Sequence, residues 1–188
     1  MSLYCPALND NINANCLGLM RAGIKTLYAA NFGQVSAILD NTLTKEVDTI
    51  IMATNPLTSQ PYYWYRIAFK KDTAGLVNEL AVEGTRYINQ TFNFSVEGIT
   101  RQSLEQLELL ASGDVVFIAV DYEGVAHVIG RQGGLKMSTM NYGTGTALGD
   151  MYGGEIVFTG AESELTNVIA PGTTIQVWNG TSTDTVTF

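Results

Sequence analysis

Val115-Val116-Phe117-Ile118-Ala119-Val120-Asp121-Tyr122-Glu123-Gly124-Val125-Ala126-His127-Val128-Ile129 decides the fold. An apolar run, a polar turn closed by glycine and a returning apolar run form the pattern of an antiparallel hairpin. The first strand shows no polar alternation and reads as buried.

Upstream, Phe92, Phe94 and Val96 alternate with Thr91, Asn93 and Ser95, the mark of a half-buried strand that Gly98 ends. Thr100 then suits a helix N-cap, since its hydroxyl can accept from an unpaired first-turn amide. Leu104, Leu107, Leu110 and Ala111 recur at helical spacing and form the expected packing face of one short helix over about 100–112, with Glu105 and Glu108 on its wet side and Gly113 as its stop. Such a helix is too short to stand alone and needs a sheet to cover. Downstream, Gly133-Gly134 leads into a strand from Leu135 to Met140, a glycine-rich stretch spans Asn141 to Gly154, and Glu155 to Thr159 is a further strand.

The same reading extends to both ends. Ile24 to Ala30 is a strand turned by Asn31-Phe32-Gly33, Val35 to Leu39 is ambiguous, and Val47 to Met52 is a β-branched strand. A loop from Thr54 to Pro61 carries two prolines. Tyr62 to Phe69 is an aromatic strand that Lys70 to Gly75 turns back into Leu76 to Glu83, a meander. Thr173 to Trp178 and Val186 to Phe188 flank Asn179-Gly180, a hairpin whose turn favours positive φ at both central positions. Residues 1–20 lack periodicity and read as an extended arm, and 21–188 as one β domain.

Apolar residues make up 46% of the 188 residues and charged ones 15%, against roughly 25% charged in an average soluble protein. Thr, Asn, Ser and Gly fill the difference, which suits strands, turns and a surface partly covered by copies of itself. With 18 acidic against 10 basic side chains the formal net charge is -8, which disfavours a nonspecific grip on nucleic acid. The same excess keeps a passing polyanion from sticking to the wall of a conduit, or simply keeps a domain soluble. Cys5 and Cys16 match no zinc or redox spacing, which points to a reduced cytoplasmic origin, with a bridge between them as the alternative in an oxidising compartment. Neither a signal peptide nor a membrane span is expected. Three Asn-x-Ser/Thr triplets, at Asn89, Asn93 and Asn179, read as strand and turn residues.

Little here suggests chemistry. His127 is the single histidine, and the sequence sets no nucleophile or acid beside it in a recognisable arrangement, so it reads as a strand residue and not a general base. Gly143 to Asp150 fits neither the phosphate loop nor the dinucleotide fingerprint: no Lys follows the last glycine, and a strand comes next where a helix is required. The expectation is a protein without catalytic residues, cofactor or metal site. The aromatic run Tyr62 to Tyr65 is either a stacking platform or, by strand alternation, divided between a core and a subunit contact.

Phe92-Asn93-Phe94-Ser95-Val96-Glu97-Gly98, Leu104-Glu105-Gln106-Leu107, Val116 to Gly124, Gly130 with Gly134-Leu135, and the block Thr144 to Glu162 together resemble the tail tube proteins of tailed bacteriophages. That last block is similar to the closing strands of small structural proteins in phages of Bacteroidetes and marine bacteria, and Gly23 to Tyr28 is similar to the opening of the same group. The likeness spans about half the chain and rests on glycine turns and strand patterns. It implies an antiparallel β-sandwich or partial barrel flanked by one helix. It further implies a virion subunit, made in the host cytoplasm, that joins edge to edge into sixfold rings stacked as a DNA-conducting tube, with other tail proteins as partners and DNA in transient passage. The loop of Asn55, Pro56, Leu57, Gln60 and Pro61 would then reach the adjacent ring. A head-tail connector, a tail terminator, a bacterial surface or fimbrial subunit, and an enzyme stay open as alternatives.

Overall fold

The computed structural model describes residues 22–44, 46–83, 85–98, 100–144 and 152–188. Its elements are β1 (Ile24–Asn31), β2 (Val35–Asp40), β3 (Val47–Met52), β4 (Trp64–Ile67), β5 (Gly75–Glu83), β6 (Thr85–Glu97), α1 (Arg101–Ala111) and β7 (Val115–Asp121). Then come β8 (Ala126–Ile129), β9 (Lys136–Gly143), β10 (Gly153–Glu162), β11 (Asn167–Val168), β12 (Thr174–Trp178) and β13 (Thr183–Thr187). The arm read at residues 1–20, with Cys5 and Cys16, lies outside the described residues.

The fold is mainly β. A seven-stranded sheet, in the order β11-β8-β7-β1-β4-β12-β13, curls into a half-barrel. A four-stranded sheet, β5-β6-β10-β9, lies against one of its faces, and the β2–β3 ribbon covers part of the other. Among the described residues the strand ladders are antiparallel except β4 with β12, and Val47 of β3 makes a single parallel bridge to Ile169.

Strands β1 and β7 sit at the centre, and their residues divide by alternation. Leu27, Ala29, Val115, Phe117 and Ala119 enter the core against the small sheet, where Phe92, Phe94, Ile156 and Phe158 meet them. Tyr28, Ala30, Val116 and Ile118 enter a second core with Val47, Trp64, Ile175 and Val177. A strand covered on both faces needs apolar residues at every position, which is why Val115 to Val120 shows no alternation.

Helix α1 crosses from the small sheet to the large one. Thr100 caps it: its Oγ1 accepts from Ser103 N at 3.1 Å, and Ser103 Oγ accepts from Thr100 N at 2.9 Å. Leu107 is buried and Leu110 packs on the same core, whereas Leu104 is 39% exposed and Ala111 is also exposed. The apolar contact is thus one turn wide. Ser112 is the C-cap, and Gly113 has no positive φ; a Cβ there would stand 3.1 Å from Asn31 Nδ2, so close approach accounts for the glycine.

Three local expectations are corrected. The meander from Tyr62 to Glu83 does not form, because β4 belongs to the large sheet and β5 to the small one. Lys70 N donates to Ser95 O at 2.7 Å, Asp72 turns the corner at φ 61, and Thr73 Oγ1 accepts from Ser95 N at 3.2 Å, so β6 draws the chain across before a hairpin can close. The aromatic strand is only Trp64–Ile67, since β1 pairs with it only from Leu27 to Ala29. The C-terminal hairpin turns through Asn179 to Ser182 with positive φ at Gly180 and not at Asn179; Asn179 Oδ1 accepts from Thr181 N and Ser182 N, which fixes a wider turn.

The turn from β8 to β9 passes between sheets and is held by buried polar groups. Gln90 Oε1 accepts from Gly130 N at 3.0 Å, and the carboxylate of Glu162 accepts from Gln132 N and Gly133 N at 2.9 and 3.2 Å. Each satisfies amides that the turn leaves unpaired.

Candidate assembly interface

The small sheet ends in two long strands. Among the described residues, neither β5 nor β9 carries a strand on its outer side. Rows of unpaired backbone groups of this length template pairing with another chain unless they are covered. Because all pairs in this sheet are antiparallel, β5 and β9 run in opposite directions. Copies related by rotation can therefore set β9 of one beside β5 of the next and continue the antiparallel alternation without interruption.

The face of this sheet turned away from the core is polar. Thr91, Asn93 and Ser95 on β6, Glu155, Val157 and Thr159 on β10, and Lys136, Thr139 and Asn141 on β9 occupy it, with Glu79 and Val77 on β5. Uncharged polar groups dominate, and the carboxylates of Glu79 and Glu155 are exposed.

The loop of Asn55, Pro56, Leu57, Gln60 and Pro61 is ordered by its own bonds. Asn55 N donates to Gln60 O at 2.8 Å, Asn55 Oδ1 accepts from Leu57 N at 2.9 Å, and Thr54 bridges Pro61. Leu57 stands at its tip, 92% exposed. The β2–β3 turn repeats the device at the other end of the ribbon: Asn41 Oδ1 accepts from Leu43 N at 2.9 Å, and Leu43 is 91% exposed. Sequence reasoning singled out the first loop by its prolines and missed the second, although Asn41-Thr42-Leu43 repeats the Asn-x-Leu pattern of Asn55-Pro56-Leu57. It also missed the bare edges, because alternation reveals faces and not neighbours.

The aromatic run is split. Trp64 is fully buried, Tyr63 stacks on Trp178 with ring centroids 5.9 Å apart, and Tyr65 is half exposed. His127 does have an acidic neighbour, Asp121 Oδ2 at 3.4 Å from its Nε2, brought close by the β7–β8 hairpin. That carboxylate is also tied into the turn, its Oδ1 accepting from Val125 N at 2.8 Å. A concavity of about 510 Å³ runs between α1 and β1–β4, with Leu107, Leu110, Phe94 and Ile67 in its walls and Arg66 at its lining. Among the described residues no group of three or more His, Cys, Asp or Glu is placed to hold a metal ion. No described helix is long and apolar enough to cross a membrane.

No family model, no curated protein and no solved structure matches this chain.

Proposed function

We propose that this chain is a self-assembling structural subunit of a virion, a tail tube protein of a tailed bacteriophage, whose copies join through the β5 and β9 edges into rings that stack as a conduit for DNA. The observation that carries the proposal is that, among the described residues, no strand pairs with the outer side of β5 or of β9, two oppositely directed edges of one four-stranded sheet. A ring joined through this sheet covers both of its edges, whereas a lone subunit leaves both open to uncontrolled pairing. The outward face of the same sheet would line the passage, and its Thr, Asn and Ser side chains with Glu79 and Glu155 give a wettable surface on which Lys136, level with Thr159, is outnumbered by carboxylates and so offers little hold on phosphate. The net charge of -8 acts in the same direction.

Leu43 and Leu57 project from opposite ends of the β2–β3 ribbon; on this proposal the ribbon lies along the tube axis, and one leucine meets the ring above while the other meets the ring below. On this proposal the partners are further copies of the chain in sixfold rings, other tail proteins at the tube ends, and DNA in passage. The site of action is the virion, after synthesis in the host cytoplasm, and the protein performs no catalysis.

Negative-stain imaging of the concentrated protein tests this. Rings and stacked tubes are the expected result. Single rings that never stack would favour a connector or terminator, and monomers under every condition would defeat the proposal.

A further inference from the structure

The small sheet is staggered. Gly75 of β5 stands level with Asn93, Val157 and Thr139 on the successive strands, yet β5 runs from that level in one direction to Glu83 while most of β9 runs in the other, to Gly143. The sheet therefore carries its own shear, which closing a barrel requires. Leu80 and Val82, on the side of β5 that faces the core elsewhere, lie beyond the last β10 residue or level with it and are 66% and 64% exposed. On β9, Met140 lies on the same side of the sheet, opposite Ile156, and is 43% exposed.

We infer that β9 of one copy pairs antiparallel with β5 of the next in the register that sets Met140 opposite Leu80, with Thr139 opposite Ala81 and Asn141 opposite Glu79. This rests on the proposed ring assembly and specifies its seam. Side-chain period forces the offset between copies to be even, since an odd slip would turn the apolar side of one strand onto the polar side of its neighbour. An offset of about six residues per four strands is roughly 20 Å along the strands against roughly 19 Å across them, a tilt of about 45°. An offset of about four gives roughly 35°, and both values suit a closed barrel, whereas zero or two residues do not.

The side chains choose between the two. At the smaller offset Asn78 faces Met140 and Val82 stays uncovered, although Asn78 Oδ1 already accepts from Thr166 Oγ1 at 2.8 Å within its own chain. The larger offset covers Leu80 with Met140 and brings Val82 toward Met137, so the exposed apolar end of the β5–β6 hairpin is buried by the neighbour. Both offsets span essentially the whole of β9 from Lys136 to Gly143, so the choice rests on these side chains. The occupant of this surface is thus a second copy of the same chain.

Disulfide trapping between copies tests the register. In a Cys5→Ser, Cys16→Ser background, three double variants share Met140→Cys and add Asn78→Cys, Leu80→Cys or Val82→Cys. Cross-strand neighbours come within bonding reach and residues two positions away do not. Mild oxidation of the assembled protein should link Leu80→Cys with Met140→Cys into a ladder of multimers on nonreducing gels, at least tenfold more than either other pair. Rings that form but trap through Asn78→Cys or Val82→Cys, or through none of the three, would overturn the register and leave the ring assembly standing. Variants that stay monomeric where the Cys-free parent also stays monomeric would overturn both.

Discussion

Phe117 of the central strand β7 stands edge-on to Phe158 of β10, ring centroids 4.8 Å apart and planes at 70°, an aromatic contact between the two sheets. Phe92 and Phe94 close around it, at 5.2 and 6.2 Å from Phe117. All four rings are fully buried. Truncating such a residue removes its transfer free energy and leaves a cavity, so Phe117→Ala should destabilise the subunit by about 3–5 kcal/mol. Chemical denaturation measures this, and the double variant with Phe158→Ala should lose less than the sum of the singles because the two share one contact.

Gly134 and Gly124 both adopt positive φ, 72° and 88°, but their surroundings differ. A Cβ on Gly134 would meet Asp114 Cβ at 2.8 Å and Phe32 Cβ at 3.0 Å, while one on Gly124 would meet nothing within 4 Å. Gly124→Ala should therefore cost only the left-handed backbone term, about 1–2 kcal/mol. Gly134→Ala adds a clash at the corner where the chain changes sheets and should cost clearly more, again read from denaturation midpoints.

Tyr28 is buried in the second core, its ring edge-on to Phe188 at 6.2 Å. Burial raises its phenol above the ordinary 10.0, and the nearby Arg66 guanidinium offsets this in part. Since the folded value exceeds the unfolded one, the contribution of Tyr28 is intact below pH 10 and is lost as pH rises through the folded value. Denaturation midpoints of the parent should fall more steeply above pH 10 than those of Tyr28→Phe; equal slopes would contradict this.

Leu43 and Leu57 are over 90% exposed at their turn tips and touch no core. Leu43→Asp and Leu57→Asp should leave subunit stability within about 0.5 kcal/mol, as surface changes do. Each should nevertheless shorten or abolish tubes in electron micrographs while single rings persist.

What the sequence revealed and what it hid follow from the range of the contacts involved. The β7–β8 hairpin and the Thr100 cap were legible because their partners lie within a few residues. The register of β6 against β10 was legible only as alternation at Phe92, Phe94 and Val96; the strand partner lies some sixty positions on. The break between β4 and β5 was not legible, because it depends on Ser95 capturing Lys70, a contact between distant positions. The bare edges of β5 and β9 were hidden for the same reason: sheet order is a property of pairing, and residue pattern fixes only which side faces in.

Sedimentation velocity of the parent and of Leu80→Lys with Met140→Lys, over a range of concentrations, tests assembly through the small-sheet edges most directly. Ring-sized and larger species are expected for the parent and a folded monomer for the double variant, whose paired lysines repel across the seam. A parent that remains monomeric at every concentration, or a double variant that assembles as the parent does, would contradict it.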